Sequence, residues 1–226
     1  MKRRPRRVAA SFFAARRSRR GFTARGRVGY PRGMQRVGAG SLRGRVLRPL
    51  PAAIAGVRPT GSRVREAIFD RLHLELQGRV VLDLFAGSGA LAIEALSRGA
   101  ARATLVEQQP PVVRFLREQI RELALADRVT LWQGDALAAL RRGPASLGGP
   151  FSLVLLDPPY ERTAALVPAL APMLAAGWLV PGAIVVCEHD RTAGALPGLP
   201  DYVLEASRRY GQTAVDFLRW DGGPSR

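Results

Sequence analysis

Apolar and polar positions fall into alternating blocks along most of this chain. From residue 80 onward, short apolar runs of strand length alternate with stretches of helical period. VVLDLF (80–85), ATLVE (103–107), VTLWQ (129–133), FSLVLLD (151–157) and GAIVVCEH (182–189) predict five buried strands. Leu91–Arg98, Val112–Leu125, Ala136–Arg142 and Leu166–Ala175 predict the intervening helices, the second opened by Pro110 and Pro111. Residues 142–150, RGPASLGGP, read as a loop. Such alternation predicts a parallel sheet with helices on both faces. The ending differs: YVLEASRRYG (202–211) and TAVDFLRW (213–220) are two strand patterns with a very short link, hence an antiparallel hairpin. The fold class is therefore α/β: a doubly wound, seven-stranded, mostly parallel sheet with a C-terminal antiparallel hairpin.

Upstream the pattern changes. Val64, Ala67, Ile68 and Leu72 share one face of a predicted helix running to about Leu74, which Thr60 or Ser62 could cap. Residues 34–59 are short, basic and Gly-rich; Gly40, Arg43, Gly44 and Arg45 suggest a hairpin carrying paired arginines. It is either an ordinary solvated hairpin or an edge that grips phosphates. Residues 1–33 hold 12 basic residues and no acidic one. They are expected to be a disordered extension, read as upstream sequence with Met34 as the start. An RNA-binding arm and an organellar transit peptide are the competing readings. The organisation expected is thus an extension (1–33), a basic hairpin segment (34–59) and a main domain (60–221).

Charge refines this picture. The net charge is +17, a field suited to a polyanionic partner. Residues 34–226 hold 23 basic against 18 acidic residues, so the body is only mildly basic. With 47% hydrophobic residues the chain is long enough for one sizeable core and is not wholly disordered. No apolar run approaches the roughly 20 residues of a membrane span. Cys187 is the only cysteine, which excludes an intrachain disulfide and a Cys-based zinc site; His73 and His189 are read as structural or surface residues, and no metal is expected.

In an open α/β sheet the ligand sits beyond the carboxyl ends of the strands. Four such ends carry chemistry. The first is Asp83-Leu84-Phe85-Ala86-Gly87-Ser88-Gly89, a strand entering a Gly turn that lets backbone approach a ligand. It lacks the third glycine of dinucleotide binders. The second is Glu107, 18 residues after Gly89, placed to accept hydrogen bonds from ribose hydroxyls. The third is Asp135, which can cap the next helix or accept from an adenine amine. The fourth, Asp157-Pro158-Pro159-Tyr160, is the sharpest. Two prolines make a rigid turn. Asp157 and the Pro158 carbonyl can accept both hydrogens of an exocyclic amine, and Tyr160 can stack on its ring.

These residues resemble a known family. D-P-P-Y with D-L-F-A-G-S-G looks like the amino-methyltransferases of the class I fold. RGRVLRP (43–49), RPTGSRVREAIFDRL (58–72), LDLFAGSGALAIEALSRGA (82–100), LLDPPY (155–160) and RRYGQTAVDFLRW (208–220) narrow the resemblance to RsmD-type methyltransferases. It covers about residues 34–220. It implies transfer of a methyl group from S-adenosylmethionine to the N2 amine of a guanine in 16S ribosomal RNA. It also implies a cytoplasmic monomer acting on the small ribosomal subunit or its assembly intermediate. By this resemblance Asp83, Phe85, Ala86, Gly87, Ser88 and Gly89 line the methionine end of the cofactor. Glu107 holds the ribose; Asp135 and Ala136 meet the adenine. Asp157, Pro158, Pro159 and Tyr160 take the guanine. Thr60 and Arg63 close over the site, and Arg43 and Arg45 meet RNA phosphates. The rival readings are a DNA adenine or cytosine amine methyltransferase and a non-catalytic RNA-binding protein on the same fold. A nicotinamide oxidoreductase is a weaker rival.

Overall fold

The structure, a computed structural model, describes residues 35–51, 61–193 and 201–222. The extension 1–33, residues 52–59 and Thr60 lie outside the described residues. The chain opens with a small antiparallel hairpin, β1 (Gln35–Arg36) and β2 (Val46–Leu47), followed by α1 (Ser62–Arg71). The βα units then run β3 (Val80–Asp83), α2 (Ala90–Ser97), β4 (Arg102–Glu107), α3 (Pro110–Glu122), β5 (Val129–Gln133), α4 (Ala136–Leu140), β6 (Phe151–Leu156), α5 (Tyr160–Ala175) and β7 (Leu179–Asp190). β8 (Tyr202–Tyr210) and β9 (Thr213–Trp220) close the chain.

Among the described residues seven strands form one sheet in the order β5-β4-β3-β6-β7-β9-β8. The first five are mutually parallel, and β9 runs antiparallel to both neighbours. The expected α/β class, parallel core and closing hairpin are all present. The inner strands are apolar on both faces because helices cover both. Val81, Leu153, Ile184 and Phe217 face the side of α1, α2 and α3. Leu82, Val154, Val185 and Leu218 face the side of α4 and α5. β4 lies on one side of β3 and β6 on the other, so winding reverses between β3 and β6. That switch point opens a crevice at the carboxyl edge.

Some local expectations are corrected. α1 is capped by Gly61, with Ser62 already its first helical residue and no side-chain cap bond. Arg65 is buried on α1, donating to Gln35 Oε1 and the Arg36 carbonyl, each at 2.8 Å. Those bonds tie β1 to the helix. α5 begins at Tyr160, six residues earlier than expected, and carries Pro168 and Pro172 within it. β7 begins at Leu179; its register against β6 shifts there, and Pro181 and Gly182 sit in the irregular stretch. α4 ends at Leu140, two residues short of the predicted span.

Candidate functional site

The site assembles at the crevice between β3 and β6. β3 delivers Asp83 to its carboxyl end, where the carboxyl is 1% exposed and accepts from the Phe85 amide at 3.3 Å. Burial, with the charges of Asp157 and Glu107, pushes its pKa up to about 7. Three carboxyl groups therefore converge on one crevice. The chain then turns through Ala86 to Gly89 into α2. Gly89 is left-handed (φ +75°), and a Cβ there would sit 2.8 Å from Leu116 Cδ2. The turn consequently needs glycine and packs straight onto α3.

Glu107 closes β4, nearly buried. Its Oε2 accepts from the Gly87 amide at 3.0 Å and its Oε1 from the Gln109 amide at 2.8 Å. It thus pins the glycine turn to the end of the neighbouring strand. A carboxylate offers about four lone pairs, so two acceptor positions are left for ligand hydroxyls. Asp135 follows β5 and caps α4, its Oδ1 accepting from Leu137 at 2.9 Å and Ala138 at 3.2 Å. Both roles expected of it were open in the sequence; this geometry establishes the cap. Ala136 is buried as the first residue of that helix, and Phe85 is half-buried beside the turn.

β6 delivers Asp157, partly exposed, two residues beyond Leu155, which pairs with Asp83. Pro158 is buried and Pro159 exposed. Pro159 is the N-cap of α5 (φ −51°, ψ 130°), and Thr163 Oγ donates back to its carbonyl at 3.3 Å. The two prolines therefore connect strand to helix with no intervening loop, and Tyr160 starts the helix. Asp83, Phe85, Ala86, Gly87, Ser88, Gly89, Glu107, Asp135, Ala136, Asp157 and Pro158 all lie along the carboxyl edge.

The basic residues separate. Arg63 is exposed at the first turn of α1. α1 ends at Arg71, which meets Glu205 near the amino end of the sheet, so Arg63 lies toward the carboxyl edge. Arg43 and Arg45 lie elsewhere. The loop that holds them docks on the last residues of α2 and α3: the Ser41 amide donates to the Ser97 carbonyl (2.8 Å) and Arg45 to the Glu122 carbonyl (3.0 Å). Both helices start at the carboxyl edge and end away from it, so this hairpin is remote from Asp157.

Sequence reasoning missed two residues that build the site from behind. Glu94 of α2, 2% exposed, accepts from the Gly38 and Ala39 amides (2.8 and 3.2 Å) and from Arg98 (2.7 Å). Gln119 of α3, 1% exposed, accepts from the Arg48 amide at 2.8 Å and donates to the Ser88 carbonyl at 2.7 Å. Both occupy polar positions inside otherwise apolar helix faces, which is the one signal the sequence offered.

A sheet with this order, a glycine turn after β3, an acidic residue ending β4 and D-P-P-Y after β6 define a Rossmann-like methyltransferase. The family model described as Conserved hypothetical protein 95 matches residues 35–219. The chain is 37% identical over 183 residues to ribosomal RNA small subunit methyltransferase D of Escherichia coli, covering 80% of this chain and 88% of that one. Its counterpart in Haemophilus influenzae is 32% identical over 160 residues, covering 71% and 81%. Among solved structures, the candidate methyltransferase yhhF of Escherichia coli superposes with a TM-score of 0.72 at 32% identity, covering 84% of this chain and 99% of that one. An RNA methyltransferase of Salinibacter ruber, in complex with S-adenosylhomocysteine, shares the fold at a TM-score of 0.52 and 23% identity, covering 75% and 96%. This chain belongs to the RsmD family of methyltransferases.

The ligand in the Salinibacter ruber structure, S-adenosylhomocysteine, is the demethylated form of S-adenosylmethionine. The site fits that molecule: a buried carboxyl beside two further carboxylates calls for a cationic ligand, and the methionine end of the cofactor carries a sulfonium and an ammonium.

Proposed function

We propose that this protein methylates the exocyclic N2 amine of a guanine in the 16S RNA of the small ribosomal subunit. The observation that carries the reading is the Asp157–Pro158–Pro159 turn, set across the switch-point crevice from Asp83 and leading directly into α5. The RNA substrate is supported by the named relatives and by the excess of 23 basic over 18 acidic residues in 34–226. On this reading the protein works as a monomer in the cytoplasm, where small subunits are assembled.

The cofactor, when bound, supplies a methyl group already activated on sulfur. The chain's own residues do the rest. Asp83 holds the cationic methionine end together with the turn from Phe85 to Gly89. Glu107 uses its remaining acceptors for the ribose. Asp135, through the carboxylate oxygen its cap does not use, and Ala136 bound the adenine. Asp157 and the Pro158 carbonyl accept the two amine hydrogens. They turn the nitrogen lone pair, otherwise delocalised into the guanine ring, toward the methyl group. Alignment is worth several kcal/mol of barrier. Tyr160 stacks on the base once it leaves its own stack, which is cheapest in a loop. Thr60 and Arg63 close over the site. Arg43 and Arg45, remote from the crevice, meet phosphates of a different RNA segment.

Splitting binding from chemistry tests this assignment. Asp157→Ala is expected to lower single-turnover methyl transfer by at least ~100-fold, with cofactor affinity by calorimetry within about threefold of the parent. Equal loss of both would contradict a substrate-facing Asp157.

A further inference from the structure

The hairpin of β8 and β9 at the end of the chain lies beside β7, and its tip reaches the carboxyl edge of the sheet. β8 runs parallel to β7, since both pair antiparallel to β9. Register aligns Glu188, Val215 and Arg208 in one row across β7, β9 and β8, and His189, Ala214 and Arg209 in the next. Leu156 pairs with Cys187, so Asp157 heads the same row as Glu188. Arg208 thus lies three strand spacings from Asp157, about 14 Å.

The tip is held in place. Gly211 (φ +63°) and Gln212 form a two-residue turn of the kind that fits strand twist, and the Arg191 amide donates to the Gln212 carbonyl at 2.8 Å. Arg208 and Arg209 are both exposed, and adjacent strand positions face opposite sides. Arg208 shares its side with Tyr210 and Val215, hence with α1 and Arg63. Arg209 shares the side of α4 and α5.

The charges on this hairpin are distributed unevenly. At its other end Arg219 pairs with Glu205 and Glu75, and Arg71 with Glu205. There every cation has an acid. At the tip neither Arg208 nor Arg209 forms a salt bridge among the described residues. At the tip, Asp190 Oδ1 accepts from the amide (2.7 Å) and hydroxyl (2.6 Å) of Thr192, and those bonds, with the Arg191 cation, hold its pKa below the usual carboxylate range; it forms no salt bridge to Arg208 or Arg209. Glu188, in the same row as Arg208, is buried. Two guanidinium groups without acid partners, astride a fixed strand end at the reaction edge, suit the phosphates of a nucleic-acid strand.

We propose that Arg208 and Arg209 form a second RNA-contact surface, gripping phosphates of the strand that carries the target base. This rests on the reading of the substrate as RNA. The 14 Å span corresponds to roughly four nucleotides of stacked strand, fewer if it is stretched. The tip therefore fixes which flanking segment lies across β7 and β9, a role the remote Arg43–Arg45 loop cannot take.

The test uses the full chain, transcribed 16S RNA and undermethylated small subunits. Arg208→Ser with Arg209→Ser is compared with Arg114→Ser with Arg117→Ser, which removes the same charge from the exposed face of α3. RNA affinity is measured against salt, alongside KM for RNA, cofactor affinity and melting temperature. The hairpin pair is expected to make the log–log salt slope shallower by about 1.4 and to raise KM for RNA about tenfold. Cofactor affinity and melting temperature stay at the parent values, and the α3 pair stays within about twofold of the parent. An unchanged slope, or an equal effect from the α3 pair, overturns the proposal. A parent protein that transfers methyl groups to these RNAs beside an unaffected hairpin variant sinks this inference alone. A parent that neither binds nor methylates them sinks the RNA reading and this inference together.

Discussion

Asp83 and His189 are the titrating side chains through which pH should reach this protein. With its pKa near 7, Asp83 is part-protonated at neutral pH until a cation arrives. A ligand that needs the ionised form loses affinity as pH falls below that value. Between pH 7.5 and pH 6 cofactor affinity is expected to fall about eightfold. Asp83→Asn should bind more weakly and show no such dependence, and calorimetry across that range decides it. His189 works on stability instead. Its Nε2 lies 3.1 Å from buried Asp216 and its Nδ1 3.0 Å from the Asp190 carbonyl. Both partners accept, so both ring nitrogens donate, and the bond to Asp216 raises the histidine pKa. A raised folded value means the contribution is complete below the ordinary histidine range and is lost as pH rises through the raised one. Melting temperature should therefore drop over that rise, and the drop should be smaller in His189→Gln.

The elements show what packs the site and what the sequence disclosed. Gln119 joins the segment after β2 to the glycine turn through one buried amide. Gln119→Met keeps the bulk but leaves the Arg48 amide and the Ser88 carbonyl without it. That should cost roughly 1–3 kcal/mol of stability and raise KM for the cofactor, whereas Gln119→Glu should restore only the bond from Arg48. Denaturant unfolding and cofactor titration read the two effects separately. The βα alternation was legible because strand and helix periods differ and each apolar run was bounded by turn residues. The strand-end chemistry was legible because topology sends every parallel strand's end to one edge. The early start of α5 was not: Pro168 and Pro172 look like breakers until neighbouring packing tolerates them. Nor was the cap of α1, where Gly61 stands between two better capping residues. The backbone amides that Glu94 and Gln119 accept from lie 55 to 71 residues away, beyond any local pattern. The docking of the Arg43–Arg45 loop on the far ends of α2 and α3 was invisible for the same reason.

Across the described residues as a whole, charge is sorted by position. Carboxyl groups line the crevice at the carboxyl edge, where a cationic cofactor fits, and arginines stand around it, where phosphates would pass. At the opposite end acids neutralise arginines in a network of Glu75, Glu205, Arg71, Arg79 and Arg219. Fold, edge chemistry and charge agree on one substrate class. The most direct test is methyl transfer from labelled S-adenosylmethionine to undermethylated small subunits, free 16S RNA and duplex DNA, followed by nucleoside analysis. N2-methylguanosine is expected from the ribosomal substrates and no label in DNA. Label recovered as methylated adenine or cytosine in DNA would leave the fold and the D-P-P-Y chemistry standing and contradict the assignment of the target.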